Sequence, residues 1–203
     1  MSCQEYRNEY CSNIRECKKC DLYKTEGPLL DIKKESGIMF VGLSAKKKTT
    51  ASEVPLDNNT KSGSLVSQMV EIAKQHGLPS YRTNLVKCVP LDNNNKLRYP
   101  SKGEIDCCFS NLEQEIDRLR PKIVVLFGDI VQKTVENKKD FVFKSTINCS
   151  FSYVKTKEKD IDLLYIAAYH PSYVLRSKER TKLYLKNFEQ LLEELFPNER
   201  KGI

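Results

Sequence analysis

The chain has 203 residues, 39% hydrophobic and 30% charged, a balance typical of one soluble globular domain with a core of its own. It contains no apolar run of about 18 residues and begins with a polar segment, so we expect no membrane span, no signal peptide and a cytoplasmic location. The formal net charge of +7 is compatible with a polyanionic partner, although most basic runs are simply solvated surface.

Strand and helix patterns alternate along the chain. Apolar segments predict strands at 38–42, 81–88, 122–128 and 162–170, and the first, third and fourth of these are nearly continuous apolar runs. Amphipathic patterns predict helices at 62–77, 101–121, 128–137 and 178–196, the second of which opens with a capping box from Ser101 to Glu104. This order is typical of βαβ units, so we expect a single α/β domain over residues 1–203, in which 1–13 form a flexible or helical lead-in.

In a sheet of this kind, ligands bind outside the carboxyl ends of the strands. The rule directs attention to 42–45, 84–90, 128–129 and 170–172. The segment 44–63 is long, polar and without a periodic pattern, and loops of that length in a compact domain are usually functional or disordered. One of the chain's two histidines, His170, stands where the last predicted strand ends.

Eight cysteines are many for a cytoplasmic chain, where disulfides are rare and metal or cluster ligation is the better interpretation of grouped thiols. Cys17 and Cys20 form a C-x-x-C pair, Cys88 ends the second strand, and Cys107 and Cys108 lie on the helix that follows. A four-thiolate site suits either a [4Fe–4S] cluster or structural zinc, and the spacing does not separate the two. Cys3, Cys11 and Cys149 have no evident partner.

Six motifs occur in an order that resembles the family-4 iron–sulfur uracil-DNA glycosylases. They are "CKKCDLY", "IMFVG", "TNLVKCVP", "EIDCC", "LRPKIVVLFG" and "HPSYVLR", and the resemblance covers about residues 14–195. It implies a three-layer αβα sandwich around a mostly parallel four-stranded sheet. It also implies a structural [4Fe–4S] cluster on four cysteines, with zinc as the alternative occupant and Cys107 as the alternative to the last of them: Cys17, Cys20, Cys88 and Cys108.

The same resemblance implies roles for two polar residues in base excision. A base must be flipped out of the duplex before its glycosidic bond can be reached. His170 would donate a hydrogen bond to the departing base, and the amide of Asn84 would read the base edge. A structural histidine that ends a strand and a turn asparagine are the plain alternatives.

Residues after His170 match the part of the family that grips DNA. Ser172 would hold a backbone phosphate, and Tyr173, Val174 and Leu175 would fill the gap left by the base. Phosphate contacts would come from Arg176, Lys178 and Arg180. Lys46 and Lys47 would add to them if their loop faces DNA, and are otherwise solvated charges.

The first family motif is altered. Gly42 is kept, but Leu43 stands where the family has a glutamate, Ser44 begins the divergent stretch, and Leu56 occupies the position of the aromatic ring that stacks on the base. Glu53 and Asp57 are then the loop carboxylates that could stabilise an oxocarbenium-like sugar or orient water.

These changes leave more than one function open. We expect a monomeric, monofunctional DNA glycosylase acting on single- or double-stranded DNA, with specificity shifted toward a modified pyrimidine such as those of phage DNA. A cluster-bearing DNA-binding protein with a repurposed pocket is the alternative, and a zinc-bound α/β domain with a small-molecule substrate is the third hypothesis.

Overall fold

A six-stranded sheet forms the centre of the protein, seen here in a computed structural model that describes residues 13–33, 35–48, 50, 52–143, 145–148, 150–158 and 160–197. In chain order the strands are β1 (Ile38–Ser44), β2 (Ser80–Val86), β3 (Ile123–Phe127), β4 (Ser145–Asn148), β5 (Phe151–Glu158) and β6 (Ile161–Ala168). Their order across the sheet is β2-β1-β3-β6-β5-β4. The first four positions are parallel, and β5 and β4 continue the sheet antiparallel.

Over residues 61–195, five α-helices pack around the sheet. They are α1 (Lys61–Gln75), α2 (Lys102–Leu119), α3 (Asp129–Lys139), the one-turn α4 (Pro171–Val174) and α5 (Lys178–Leu195). The Ser101–Glu104 capping box that the sequence predicts is formed at the start of α2, with both reciprocal hydrogen bonds present. A 3-10 turn, Asp21–Lys24, follows the C-x-x-C pair.

The two faces of the sheet build two separate cores, as a three-layer sandwich requires. Ile38 and Phe40 of β1 pack with residues of α1, α4 and α5, whereas the alternating Met39 and Val41 pack with α2 and α3. Because side chains alternate across a strand, a strand apolar at every position must be covered on both faces. The predicted αβα sandwich is therefore confirmed.

The predicted strand number of four is wrong, because the sheet gains β4 and β5 at one edge. The apolar residues of β5 lie in its first half, and its second half carries Lys155 and Lys157; exposure ranges from buried at Phe151 to exposed at Lys155. A strand near a sheet edge buries only part of its surface, so it lacks the nearly continuous apolar run that marks β1, β3 and β6.

The four parallel strands end together and place four short segments at one edge of the sheet. These segments begin at Gly42, Asn84, Gly128 and His170, as the carboxyl-end rule predicts. Of the predicted lead-in, residues 1–12 lie outside the described residues, as do Cys3, Cys11 and Cys149. Among the described residues, no helix is both long enough and apolar enough to cross a membrane.

Candidate functional site at the carboxyl ends of the strands

Asn84 and Gly42 lie side by side on paired strands. They are register partners in the β1–β2 ladder, and Asn84 is 3% exposed. A Cβ added to Gly42 would lie 2.5 Å from the Oδ1 atom of Asn84 and 3.0 Å from the Cδ2 atom of Leu56. Gly42 thus leaves the space in which the Asn84 amide is seated, which is a physical reason for glycine at this strand end.

His170 caps the short helix α4 with its own ring. Its Nδ1 atom accepts a hydrogen bond from the backbone N–H of Ser172 at 3.2 Å and lies 2.8 Å from the Ser172 Oγ. A ring nitrogen that accepts from an amide carries no proton, so these bonds assign the proton of the neutral imidazole to Nε2. Although His170 is partly exposed to solvent, desolvation of its ring lowers the pKa of His170 below its ordinary value, which favours that neutral form.

Gly128 sets the distance between β3 and His170. Its φ is +85°, a conformation that favours glycine, and an added Cβ would lie 3.2 Å from the Cβ of His170. The Gly128 N–H donates to the Ala168 carbonyl at 2.9 Å, and the Gln132 side chain donates to the same oxygen at 2.7 Å. The backbone beneath the histidine is therefore tied to the start of α3.

Two adjoining cavities open at this edge and share Leu43, Tyr99 and His170 in their walls. The smaller cavity, about 380 Å³, is lined by Gly42, Leu43, Ser44, Leu56, Asn84, Leu97, Arg98, Tyr99 and His170. The larger, about 420 Å³, is lined by Leu43, Tyr99, Phe127, Gly128, Asp129, Ile130, Val131, Tyr169, His170, Ser172 and Tyr173. We call the smaller one the amide cavity and the larger one the tyrosine cavity.

The amide cavity brings together the predicted pocket residues. Gly42, Leu43, Ser44 and Leu56 all line it with Asn84 and His170. Leu56 has a positive φ of 54°, unusual for leucine, and its carbonyl oxygen accepts from the Arg82 guanidinium at 3.3 Å. The wall at the position of the family's stacking ring is therefore an aliphatic side chain held in place by its backbone.

Neither predicted loop carboxylate is among the described residues that line the two cavities. Glu53 is 4% exposed and forms an ion pair with Lys46. The Asp57 carboxylate accepts from the backbone N–H of Asn58 at 2.7 Å. The one carboxylate in the described walls of either cavity is Asp129, the first residue of α3, for which the sequence offered only its place after the third strand.

The predicted DNA-contacting residues divide into exposed and packed groups. Tyr173 is 40% exposed, with the Arg180 guanidinium 4.4 Å and that of Arg176 5.6 Å from its ring centre. Ser172, Arg176 and Lys178 are also accessible to solvent. Val174, by contrast, is buried in the core, and Leu175 is half-buried against it.

The two lysines predicted to face DNA both have partners in the structure. Lys46 forms its ion pair with Glu53, and its side chain is 30% exposed. Lys47 donates from Nζ to the Asn95 carbonyl at 2.7 Å and so joins the first loop to the segment after Cys88. Both lysines therefore link residues within or between loops.

Five cysteines line one small cavity away from the histidine. They are Cys17, Cys20, Cys88, Cys107 and Cys108, and apolar side chains such as Ile14 and Leu22 complete its wall. Burial, followed by the charges of Cys108, Cys20 and Cys17, raises the pKa of Cys88 to about 12, and burial also raises the pKa of Cys20. Clustered thiols that resist ionisation together are suited to a cation that neutralises them.

The donor set of this cavity fits the implied cluster. Thiolates are the ligands of iron–sulfur clusters, and the cavity collects them from the N-terminal segment, the end of β2 and helix α2. Cys108 accepts from the Lys87 N–H at 3.4 Å and from the Asn111 amide at 3.5 Å, the bonds expected around a ligating sulfur. No three His, Cys, Asp or Glu side chains among the described residues are grouped so as to hold a single metal ion.

A buried ion pair connects this cavity with Asn84. The Lys87 ammonium, 1% exposed, donates to the Asn84 carbonyl at 2.7 Å, to Thr83 Oγ1 at 2.7 Å and to Glu115 at 2.5 Å. Glu115 is fully buried and also accepts from the hydroxyls of Tyr81 and Thr83. Lys87 precedes Cys88, so one residue fixes both the thiol segment and the end of β2.

The fold and site define the class to which the chain belongs. The profile of the Uracil DNA glycosylase superfamily matches residues 27–196, which include both cavities and helices α1–α5 in full. The chain belongs to this superfamily.

Within the superfamily it is a family-4-like protein. It is 29% identical over 188 residues to a type-4 uracil-DNA glycosylase of Sulfurisphaera tokodaii, covering 87% of this chain and 79% of that protein. It is 26% identical over 196 residues to the type-4 enzyme of Archaeoglobus fulgidus, covering 93% of each chain, and 24% identical over 185 residues to that of Saccharolobus solfataricus, covering 90% and 83%.

Proposed function

We propose that the protein is a DNA glycosylase that hydrolyses the N-glycosidic bond of a flipped base and leaves an abasic site. The observation that carries the proposal is the amide cavity, whose wall contains both Asn84 and His170 at the carboxyl edge of the sheet. The type-4 names of the relatives and the superfamily match support the same activity.

Each of the two polar residues has a chemical role in this reaction. The Asn84 amide offers both a donor and an acceptor to a pyrimidine edge. Bond cleavage leaves negative charge on the base. The Nε2–H of a neutral His170 can donate a hydrogen bond to that charge. The backbone N–H of Ser172 favours this tautomer through Nδ1, and Ser172→Ala keeps that N–H. The substitution would therefore remove only the hydroxyl contact to the ring and any phosphate contact.

Hydrolysis also needs stabilisation of the sugar as it gains positive charge. Three carboxylates are candidates for this role, namely Asp129, which lines the tyrosine cavity, and the loop residues Glu53 and Asp57. The phosphates of the substrate are a further source of negative charge. Glu53→Gln, Asp57→Asn and Asp129→Asn, each compared for kcat, identify the residue by the variant that loses activity.

We further propose that the enzyme is monofunctional and carries a [4Fe–4S] cluster. None of the described residues in the walls of the two cavities is a lysine, so no amine is placed there to form a Schiff base with the sugar. Cys17, Cys20, Cys88 and Cys108 would hold the cluster, which would join three separate segments of the chain. A cluster of this kind supplies a structural link between those segments.

The basic residues after the histidine have a separate role in the proposal. Arg176, Lys178 and Arg180 would bind phosphates of the DNA backbone.

The altered wall supports a substrate other than, or besides, plain uracil. Leu43 and Leu56 replace a carboxylate and a ring, and the amide cavity adjoins the tyrosine cavity. This space suits a pyrimidine with a substituent, such as the modified bases of phage DNA. Equal rates on uracil and on every modified pyrimidine tested would contradict this part of the proposal.

The test is a cleavage screen with labelled DNA, single- and double-stranded, that contains uracil, hypoxanthine or a hypermodified cytosine. Alkali converts each abasic site into a strand break, and His170→Ala is run beside the wild type. Breaks on one substrate that disappear with His170→Ala support the proposal and name the base. If no substrate is cut while DNA is still bound, the protein is a DNA-binding member of the superfamily, the alternative that Leu43 favours.

A further inference from the structure

Exposed apolar side chains gather around the two cavities. Among the described residues nine large hydrophobic side chains are exposed, and five of them line a cavity wall: Leu97, Tyr99, Ile130, Tyr169 and Tyr173. Single exposed hydrophobics are ordinary, but a group that rims a cavity marks a surface for contact. Tyr99 is the most exposed of the nine, at 76%, and it lines both cavities.

Tyr99 stands on a short hairpin, residues 91–99, that is built to hold its shape. Leu91 and Leu97 form an antiparallel bridge, and Asp92 closes the turn by accepting from the N–H groups of Asn94 and Lys96 at 2.9 and 2.8 Å. Leu91 is anchored beneath in a small apolar cluster with Leu29, Ala45 and Val89. Ordering these residues opposes chain entropy, so a rigid loop that leaves its ring in water is suited to a contact made with a ligand.

Arg98 fixes the tyrosine from the adjacent position. Its guanidinium donates to the Tyr99 carbonyl at 2.9 Å, to the Leu91 carbonyl at 3.0 Å, and to both carboxylate oxygens of Glu104 at 2.8 and 2.5 Å. This hydrogen bonding lowers the pKa of Glu104 to about 2, so the anchor persists throughout the physiological pH range. Lys47 holds the other side of the hairpin at Asn95.

We infer that Tyr99 is the aromatic platform on which the flipped base stacks, in place of the ring absent at Leu56. The inference rests on the proposed function, since it names a residue of that same site. The Tyr99 ring shares the amide cavity with Asn84 and His170, so a base read by the amide lies within reach of it. Stacking accepts any base with a π face, and therefore suits a pocket whose substrate is not plain uracil.

The test compares affinities for two duplexes that differ only in whether the base is present. One carries the base cut in the screen, with uracil as the first probe, and the other carries a stable abasic analogue at the same site. All proteins are compared in a His170→Ala background, so that the base is not excised during the measurement. A base stacked on a ring contributes about 1–3 kcal/mol, so Tyr99→Ala should weaken binding of the base-bearing duplex about 5- to 150-fold and leave the abasic duplex unchanged. Tyr99→Phe should bind both duplexes as the wild type does, and Val142→Ala, an exposed residue beyond the end of α3, is the matched control.

Kinetics and fluorescence give independent readouts. Stacking on Tyr99 should act equally in the ground state and the transition state. Its loss in Tyr99→Ala should therefore raise KM and leave kcat unchanged. The chain has no tryptophan, so Tyr99→Trp introduces a single reporter whose emission should be quenched by the base-bearing duplex only, whereas Val142→Trp should not respond.

Three outcomes overturn the inference. If Tyr99→Ala binds the base-bearing duplex as tightly as the wild type does, the inference about Tyr99 is wrong and the glycosylase proposal is unaffected. An equal loss on both duplexes shows a general DNA contact and does the same. A wild type that cuts no base and does not distinguish the two duplexes refutes the proposed function, and the inference with it.

Discussion

The buried pair of Lys87 and Glu115 makes a sharp prediction for Lys87→Met. The substitution keeps the length of the side chain and removes the ammonium, so that Glu115 stays in the core with the hydroxyls of Tyr81 and Thr83 as donors. An ion pair broken by loss of one partner typically costs about 3–5 kcal/mol, because an uncompensated charge stays buried. Against a whole-domain stability of about 5–15 kcal/mol, that loss is a large fraction of what holds the fold.

The expected size of the loss follows from the burial of the pair. The Lys87 side chain is 1% exposed and Glu115 is fully buried, so the carboxylate that remains in the variant is not screened by solvent. We therefore expect Lys87→Met to lower the free energy of unfolding by about 3–5 kcal/mol at pH 7.

Urea denaturation followed by circular dichroism at pH 7 measures the difference between wild type and variant. The control is Lys138→Met, whose pair with Asp106 is 39% and 41% exposed and should contribute less than about 1 kcal/mol. A Lys87→Met protein as stable as the wild type, or a loss no larger than that of Lys138→Met, would refute the reasoning about the buried charge.

Three further changes follow from the geometry. Gly63→Ala would place a methyl group into the backbone oxygen of the preceding loop and should cost about 3 kcal/mol in unfolding measurements, whereas Gly103→Ala, with open space around it, should be neutral or stabilising; equal effects would contradict the packing. Cys108→Ala should abolish the broad cluster absorbance near about 400 nm, and Cys107→Ala should keep it. The reverse result would identify Cys107 as the fourth ligand in place of Cys108. Because desolvation lowers the pKa of His170, the folded protein binds that proton more weakly than the unfolded chain, so acid below about pH 6.5 lowers stability and depletes the neutral ring. A profile of kcat/KM against pH should then fall only below about pH 6.5, and an inflection above that value would contradict the assignment.

Much of the scaffold was predictable because its signals are local. The Ser101–Glu104 box lies within four residues, and β1, β3 and β6 are nearly continuous apolar runs, so composition alone marks them. The positions of Asn84 and His170 followed from the rule that strand ends carry the ligand. Strand β5 was not predicted because it is only half-covered, and polar residues and two lysines leave it without a continuous apolar run.

The rest of the site depends on contacts between distant residues. Lys87 at a strand end predicts a solvated cation, and only the fold brings it to Glu115, 28 residues away. From the sequence, Glu53 is one of several polar residues in a long loop. Only the fold shows that it pairs with Lys46. Tyr99 sits in a polar stretch with no periodic pattern, so its place beside the cavities could be seen only in three dimensions.

The hairpin at 91–99 also has a meaning for protein engineering. Leu91 and Arg98 hold the hairpin at its base, and Lys47 bonds to the backbone carbonyl of Asn95, an atom that every residue type supplies. The residues of the turn between Leu91 and Arg98 are exposed to solvent. Asn84 and His170 are fixed from below by β2 and by Gly128, and neither depends on the composition of that turn. The residues of this hairpin can therefore be exchanged without changing the scaffold. Libraries of substitutions at 93–97 can alter which bases the amide cavity accepts, while Asn84 and His170 keep their positions.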